Sequence, residues 1–361
     1  MTAERWQAVI VGGGPAGSAA ALALLAGGMT RVAMVEPSDF ADFRIGESIP
    51  PDTNLLLHRL GVQQAFAAQG HLPCLGSRSL WGSNRLGHND FLTSPHGHGW
   101  HLDRRAFDRM LFGRAVEAGA VPVRGRCTAV RACGGRIEAV EAAGQRLAAD
   151  AYVDASGRSA VLARACGSAR QSGGRLGVCW ARFCSDPEAL GRSTWLEAAP
   201  QGWWYAAAIP GGEAVAALGT DPQISKSAGL AGLRGWAHAL SGTALIAPRL
   251  ARAALVPGSF AMAAAGSALT DPPAGPNWAA AGDAACSFDP LSSAGIHKAL
   301  ASGISAAEAL LDGGPQALLR HAGQVLAEYR GYLEQRADLY AQERRWPDSP
   351  FWRRHAMPAP A

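Results

Sequence analysis

An α/β fold in two lobes with a helical tail is what this sequence predicts, and three observations predict it. The chain opens on a strand, a glycine turn, a helix and a second strand; two later strand-and-turn signals return to the same kind of lobe. The long stretch between them alternates short apolar runs with turn residues, which reads as a mostly antiparallel sheet. At 361 residues the chain can bury a full core in two lobes.

Taken in order, Val9-Ile10-Val11 reads as a buried strand, Pro15 to Ala26 as a small-residue helix and Arg31 to Val35 as a second strand. A further helix is expected from Asp103 to Ala118, where Phe107, Leu111, Ala115 and Val116 recur at helical spacing. Ala151-Tyr152-Val153 and Asn277 to Ala281 read as strands leading into turns, the second followed by a helix from Gly295 to Leu311. Leu176 to Phe260 is the expected sheet, and 315 to 345 a long helical tail closed by the turn Trp346-Pro347-Asp348-Ser349-Pro350. The first lobe is thus assembled from 1–75, 101–170 and 266–314, the second from 76–100 and 171–265, with 315–361 as the tail.

Composition narrows the function. A hydrophobic share of 48% against 17% charged residues argues against disorder. Net charge is only +4 and the basic residues are scattered except near the C-terminus, so nucleic acid is not an expected partner. Met1-Thr2-Ala3-Glu4-Arg5-Trp6 runs straight into a strand without a basic leader, and no apolar run approaches membrane-spanning length. Seven cysteines without a CxxC pair then read as reduced thiols, and the expected location is cytoplasmic. Only two of the 33 Lys and Arg residues are lysines, Lys226 and Lys298, which excludes any mechanism needing a lysine in the first 225 residues.

Gly12-Gly13-Gly14-Pro15-Ala16-Gly17 carries the G-x-G-x-x-G pattern directly after a strand and at a helix start. Gly12 permits the tight turn, Gly14 a close approach to a pyrophosphate, and Gly17 close helix–strand packing. The helix N-terminus then faces phosphate charge. Glu36 ends the second strand, where a carboxylate accepts hydrogen bonds from an adenosine ribose. These residues point to a Rossmann-like dinucleotide site.

Three further segments resemble the fingerprints of the FAD-dependent monooxygenase and flavin-dependent halogenase superfamily. Asp154-Ala155-Ser156-Gly157-Arg158-Ser159 is similar to its second fingerprint, which adds Asp154 and Gly157 to the expected site. Ala280-Ala281-Gly282-Asp283-Ala284-Ala285 is similar to the third, in which Asp283, after Gly282, would bind the ribityl chain. Asp289 to Ile296 resembles the loop and helix start beside the isoalloxazine ring, implying contacts from Pro290, Ser293, Gly295 and Ile296. Arg44 and Arg104 match arginine positions of the same superfamily. The resemblance spans nearly the whole chain and implies FAD as cofactor, with O2 as cosubstrate and NAD(P)H or a reduced-flavin supply, including a separate flavin reductase, as electron source.

Within the superfamily, Arg44-Ile45-Gly46-Glu47-Ser48-Ile49-Pro50-Pro51 resembles the halogenase branch. Two departures argue against halogenation: no lysine precedes Lys226, and Tyr205-Ala206-Ala207-Ala208-Ile209-Pro210 replaces both tryptophans of the W-x-W-x-I-P signature. The better resemblance is to LodB/GoxB-like flavoproteins of tryptophylquinone cofactor maturation, on Gly202-Trp203-Trp204-Tyr205 and the tail Arg344 to Arg354. It implies hydroxylation of an electron-rich aromatic through a flavin C4a-hydroperoxide, the substrate being an aromatic small molecule or a peptidyl tryptophan of a partner protein. A halogenase, a reductase of the geranylgeranyl-reductase type and a non-catalytic flavin-bearing maturation chaperone are the alternatives.

No catalytic residue stands out. His88, His96, His98 and His101 cluster without a carboxylate or cysteine at ligand spacing, so no metal is expected. A loop bordering the substrate cavity is expected instead, with His98 or His101 bonding substrate or peroxide. Trp203 and Trp204 must face opposite sides of a strand, so one of them is the cavity candidate. Glu47 and Asp289 lie in segments expected near the ring, and Asp289, preceding Pro290, suits a capping role equally well. Arg344, Arg345, Arg353 and Arg354, mixed with Trp346, Phe351 and Trp352, make either a docking surface for an acidic partner or a packed aromatic clasp.

Overall fold

The computed structural model describes residues 5–356; Met1–Glu4, on which the expectation about a leader rests, and residues 357–361 of the tail lie outside the described residues. In chain order the principal elements are β1 (Trp6–Val11), α1 (Pro15–Ala26), β2 (Val32–Glu36), α2 (Arg104–Glu117), β3 (Val121–Arg124), β4 (Ala149–Asp154) and β5 (Gly177–Cys184). Then come β6 (Thr194–Ala199), β7 (Gly202–Ile209), β8 (Glu213–Thr220), β9 (Trp278–Ala280), α3 (Gly295–Asp312), α4 (Pro315–Ala341) and α5 (Pro350–His355).

The central sheet has the order β9-β4-β1-β2-β3, all parallel, with Ala274–Gly275 added antiparallel beside β9. Its inner strands β9, β4, β1 and β2 are buried on both faces, which is why β1 and β2 read as unbroken apolar runs, while edge strand β3 is largely exposed. Helices α1 and α3 cross in close contact: a Cβ on Gly303 would stand 2.3 Å from the Ala16 carbonyl oxygen. Register aligns Val35, Val11, Asp154 and Ala280 across four strands, so the turns that follow them open side by side at one edge.

The second sheet runs β5-β8-β7-β6 antiparallel, continues through Gly76–Leu80, which pairs parallel with β6, and ends on Gly87–Asp90. The expected α/β class with an antiparallel second sheet is therefore what the chain forms. One part of the expected sheet is helical, however. Pro222–Ser227, Leu233–Ser241 and Ala247–Leu250 are helices, because Trp236 and Leu240 recur at helical spacing and bury together. Trp236 is fully buried against Trp204 and Phe183 on the sheet face away from the nucleotide-type lobe.

The tail is structural. α4 packs Val325, Tyr329 and Tyr332 into the core cluster under the central sheet. Past the turn at 346–349, α5 begins at the Ser349 cap and buries Phe351 and Trp352 against Tyr340 and Trp203. Arg345 pairs with Glu343 and Arg354 with buried Asp221, so the clasp is the arrangement the chain adopts.

Removing the largest side chain of the lateral cluster tests the helical insertion. Trp236→Ala should lower unfolding free energy by about 3–5 kcal/mol, read from urea denaturation, while the nucleotide-type lobe keeps its ligand.

Candidate active site

A cavity of about 620 Å³ opens where the aligned turns of the central sheet meet one face of the second sheet. Its lining draws on every segment that resembles a flavin fingerprint, with residues from within 11–16, 35–37, 44–48, Arg104, 155–161, 281–283 and 288–299. Strands β5, β7 and β8 close the far side with Val178, Trp203, Tyr205 and Ala217.

At one end the glycine turn sits between two packing constraints. Gly12 adopts φ 106°, and a Cβ there would lie 2.1 Å from the Ala155 carbonyl oxygen; a Cβ on Gly17 would lie 1.8 Å from that of Gly12. Gly14 is different, because its Cβ direction is open with no atom within 4 Å, and it lines the cavity with Pro15 and Ala16 at the start of α1. Glu36 is buried, and its two oxygens accept from Gly13 N and Ser38 N, each at 2.7 Å, leaving lone pairs for further donors. Arg126, which the sequence reading passed over, lines the same end.

Midway, Gly157 and Gly282 line the wall beside Asp283. The Asp283 carboxylate opens into the cavity while protein surrounds it elsewhere; that desolvation raises its pKa, opposed by Arg158, Arg170 and Arg104. Arg158 donates to the Gly266 carbonyl at 2.6 Å and was also missed; it sits within the second fingerprint, where only its neighbours were singled out. Arg104 lines the wall but spends its guanidinium on protein: it donates to the Ile45 and Gly46 carbonyls and pairs with Asp108 at 3.0 Å. Arg44 is freer, half-exposed and 3.9 Å from Asp108.

At the other end stand Glu47, Ser48, Tyr205, Trp203 and Asp289, with Pro290, Ser293, Gly295 and Ile296 along the loop into α3. Glu47 is buried; Oε2 accepts from Gly46 N at 2.9 Å and Oε1 has no hydrogen-bond partner. Burial raises its pKa, with Tyr205, the backbone and Arg104 opposing. The Tyr205 hydroxyl meets that of Ser48 at 2.8 Å. Trp203 and Tyr205 are two residues apart on β7 and therefore share its cavity face. Asp289 does both things expected of it: it lines the cavity and accepts from Leu291 N at 3.0 Å as a cap.

Five expected site residues stand elsewhere. Asp154 is fully buried with both oxygens engaged, Oδ1 by Ser156 and Oδ2 by Leu162 N and Ala163 N, so it builds the turn rather than the lining. Gly17 serves packing, one residue below the cavity wall. Trp204 faces the lateral core, which leaves Trp203 as the cavity member of the pair. His98 bonds the Gly99 carbonyl through Nδ1 and packs edge-on to Trp100, away from the cavity. His101 is wholly buried behind the wall, with Nε2 3.0 Å from Thr194 Oγ1. Cys286 is a buried thiol whose pKa burial pushes up to about 12. Among the described residues no group of three or more His, Cys, Asp or Glu is arranged to hold a metal ion, and no helix is long and apolar enough to cross a membrane.

The tryptophan halogenase family model matches residues 7–84 and 83–210, more than half the chain. The chain belongs to the tryptophan halogenase family of FAD-dependent oxidoreductases. It is 32% identical to an FAD-dependent oxidoreductase, LodB, of Marinomonas mediterranea, over 99% of this chain and 98% of that one. It is also 27% identical to the sulochrin halogenase gedL of Aspergillus terreus, over 83% of this chain but only 62% of that protein's length. The structure matches the flavin-dependent halogenase CmlS with a TM-score of 0.85 at 27% identity, over 98% of this chain and 68% of that one. It matches the peptidyl tryptophan dihydroxylase QhpG with a TM-score of 0.77 at 25% identity, over 98% and 79%. The cavity fits a dinucleotide flavin on its own terms, with an open cradle at Gly14, a ribose-ready carboxylate in Glu36 and cationic walls around Asp283.

His101 titrates with an acid-side consequence. Burial lowers its pKa from 6.5 to about 4, so the unfolded chain binds the proton first and stability falls as pH drops from about 6.5 towards 4. The full effect is about 3 kcal/mol at the acid end. Denaturant titrations between pH 7 and 4 should show it, and His101→Gln should lessen that slope, the rest coming from His71, which burial also lowers to about 4.

Proposed function

We propose that this protein is an FAD-dependent monooxygenase that hydroxylates an electron-rich aromatic ring, with a tryptophan side chain of a partner protein as the favoured substrate. The observation that carries this reading is the cavity end where Trp203 and Tyr205 flank a buried carboxyl, Glu47, with no lysine in the lining. Likeness to LodB over nearly the full length and to a peptidyl tryptophan dihydroxylase supports it.

Bound FAD supplies the redox chemistry with O2 as cosubstrate. The chain's own residues do the rest. Glu36, which accepts from Gly13 N at the glycine turn, would accept from the adenosine ribose, and the N–H groups opening α1 would hold the pyrophosphate. Gly157, Arg158, Gly282 and Asp283 line the wall that would hold the ribityl and phosphate stretch, where Arg44 and Arg126 add positive charge and Arg104 holds the 45–46 backbone in place. The loop Pro290 to Ile296 and the first turn of α3 would hold the electron-rich edge of the ring through helix-start N–H groups. Trp203 and Tyr205 offer an aromatic surface for a planar substrate beside the buried Glu47 carboxyl, whose pKa burial raises. Sheet β5–β8 keeps water from that end.

Halogenation is the second reading, favoured by the family match itself. The two are separated by product mass. The reduced holoprotein is mixed with O2 and a tryptophan-containing peptide, with and without chloride or bromide. Oxygen incorporation independent of halide is the expected result; a halogenated product would overturn it. Supplying electrons once as NAD(P)H and once through a flavin reductase identifies the donor.

Asp283→Ala should weaken FAD retention by about tenfold, read by titrating apoprotein with FAD, through loss of a charged hydrogen-bond partner. Unchanged affinity would remove Asp283 from the cofactor site.

A further inference from the structure

The tail contributes a buried polar chain that reaches the cavity. Tyr340, on α4, is completely buried, and its phenolic oxygen serves two partners. It accepts from Trp203 Nε1 at 2.8 Å and donates to Asp289 Oδ2 at 2.6 Å. Burial and the charge of Asp289 hold the phenol well above its ordinary pKa, so it stays a donor. Trp203 and Asp289 both line the cavity, one on the second sheet and the other at the head of the loop into α3.

Asp289 is gripped from several sides. Its Oδ1 caps Leu291 N, its backbone N–H donates to the Tyr332 hydroxyl at 2.8 Å, and Arg336 Nε approaches Oδ2 at 3.4 Å. Arg336 in turn contacts His355 Nδ1, and His355 Nε2 lies 2.8 Å from Asp221 Oδ1, both buried. The chain of contacts therefore runs from α5 through α4 into the loop. Ring packing alone would not call for a hydroxyl: His355, Phe351 and Trp352 surround the Tyr340 ring at centroid distances of 5.1, 6.0 and 5.8 Å, which a phenylalanine would satisfy.

We propose that Tyr340 is a positioning residue that ties the aromatic wall at Trp203 to the cofactor loop at Asp289, and that α5 exists to hold it there. Without the hydroxyl, the Trp203 N–H and the Asp289 carboxylate both lose a buried partner. The Trp203 N–H and one Asp289 oxygen then lack their tie, which loosens the aromatic wall and the start of the turn at 290–292. The inference rests on FAD occupying the cavity, which titration of wild-type apoprotein with FAD tests separately.

The decisive experiment compares apoproteins of the wild type, Tyr340→Phe, Asp289→Asn, Trp203→Phe and the two doubles containing Tyr340→Phe, each titrated with FAD. Tyr340→Phe should raise the FAD Kd about tenfold and shift the visible absorption band of the bound flavin. In the Asp289→Asn background the same change should alter Kd by about twofold or less, and in the Trp203→Phe background the further band shift should shrink, since the partner is already gone. A folded Tyr340→Phe protein with lowered Tm but unchanged Kd and band, or effects that simply add, would overturn the proposal. Should Tyr340→Phe fail to fold, His355→Gln keeps the hydroxyl while loosening Arg336. It should move Kd and band in the same direction by less, and no movement in either would equally sink the idea.

Discussion

The register of four parallel strands is the constraint on which the rest depends. Val35, Val11, Asp154 and Ala280 stand level across the central sheet, so the turns after them emerge together at the carboxyl edge. Ligands of open α/β sheets bind at such an edge. Slipping any strand would carry Glu36, Gly12, Ser156 or Gly282 away from the others and divide the cavity lining. Asp154 shows how tightly the level is held, because both of its oxygens are committed to the turn beside β1.

The second lobe adds selectivity to this frame through strand alternation. On β7, Trp203 and Tyr205 face the cavity while Trp204 faces the cluster around Trp236. One short run of aromatics thus builds both the wall of a site and the core that stiffens it. The helices at 222–250 pack on the lateral face, which leaves the opposite face to close over the cavity.

The third contribution comes from the tail, which the sequence suggests only as a helix with a basic, aromatic end. Folded back, it places Tyr329, Tyr332, Arg336 and Tyr340 behind the 286–296 loop and stacks α5 over them. The loop carries Ser293 at φ 51°, a conformation costly for a residue with a Cβ, and a rigid backing suits such a segment. Arginines that looked like a charged surface are divided between structural pairs at Arg345 and Arg354 and exposed positions at Arg344 and Arg353.

The sequence by itself determined the nucleotide-type lobe, because local rules govern it. A glycine turn between strand and helix admits few conformations, and each fingerprint carries its own turn chemistry in a few adjacent residues. Most of the cavity lining was legible in this way, from Gly12 and Glu36 to Asp283 and Ile296. What only the tertiary structure decided was direction and distance. Periodicity says that Trp203 and Trp204 face opposite ways but not which side holds the cavity. Spacing gathers the histidines of 88–101 but cannot show His101 buried against Thr194 behind the cavity wall. The bond between Tyr340 and Asp289 spans 51 residues, and no local pattern carries it: such contacts exist only once two lobes and a tail have packed.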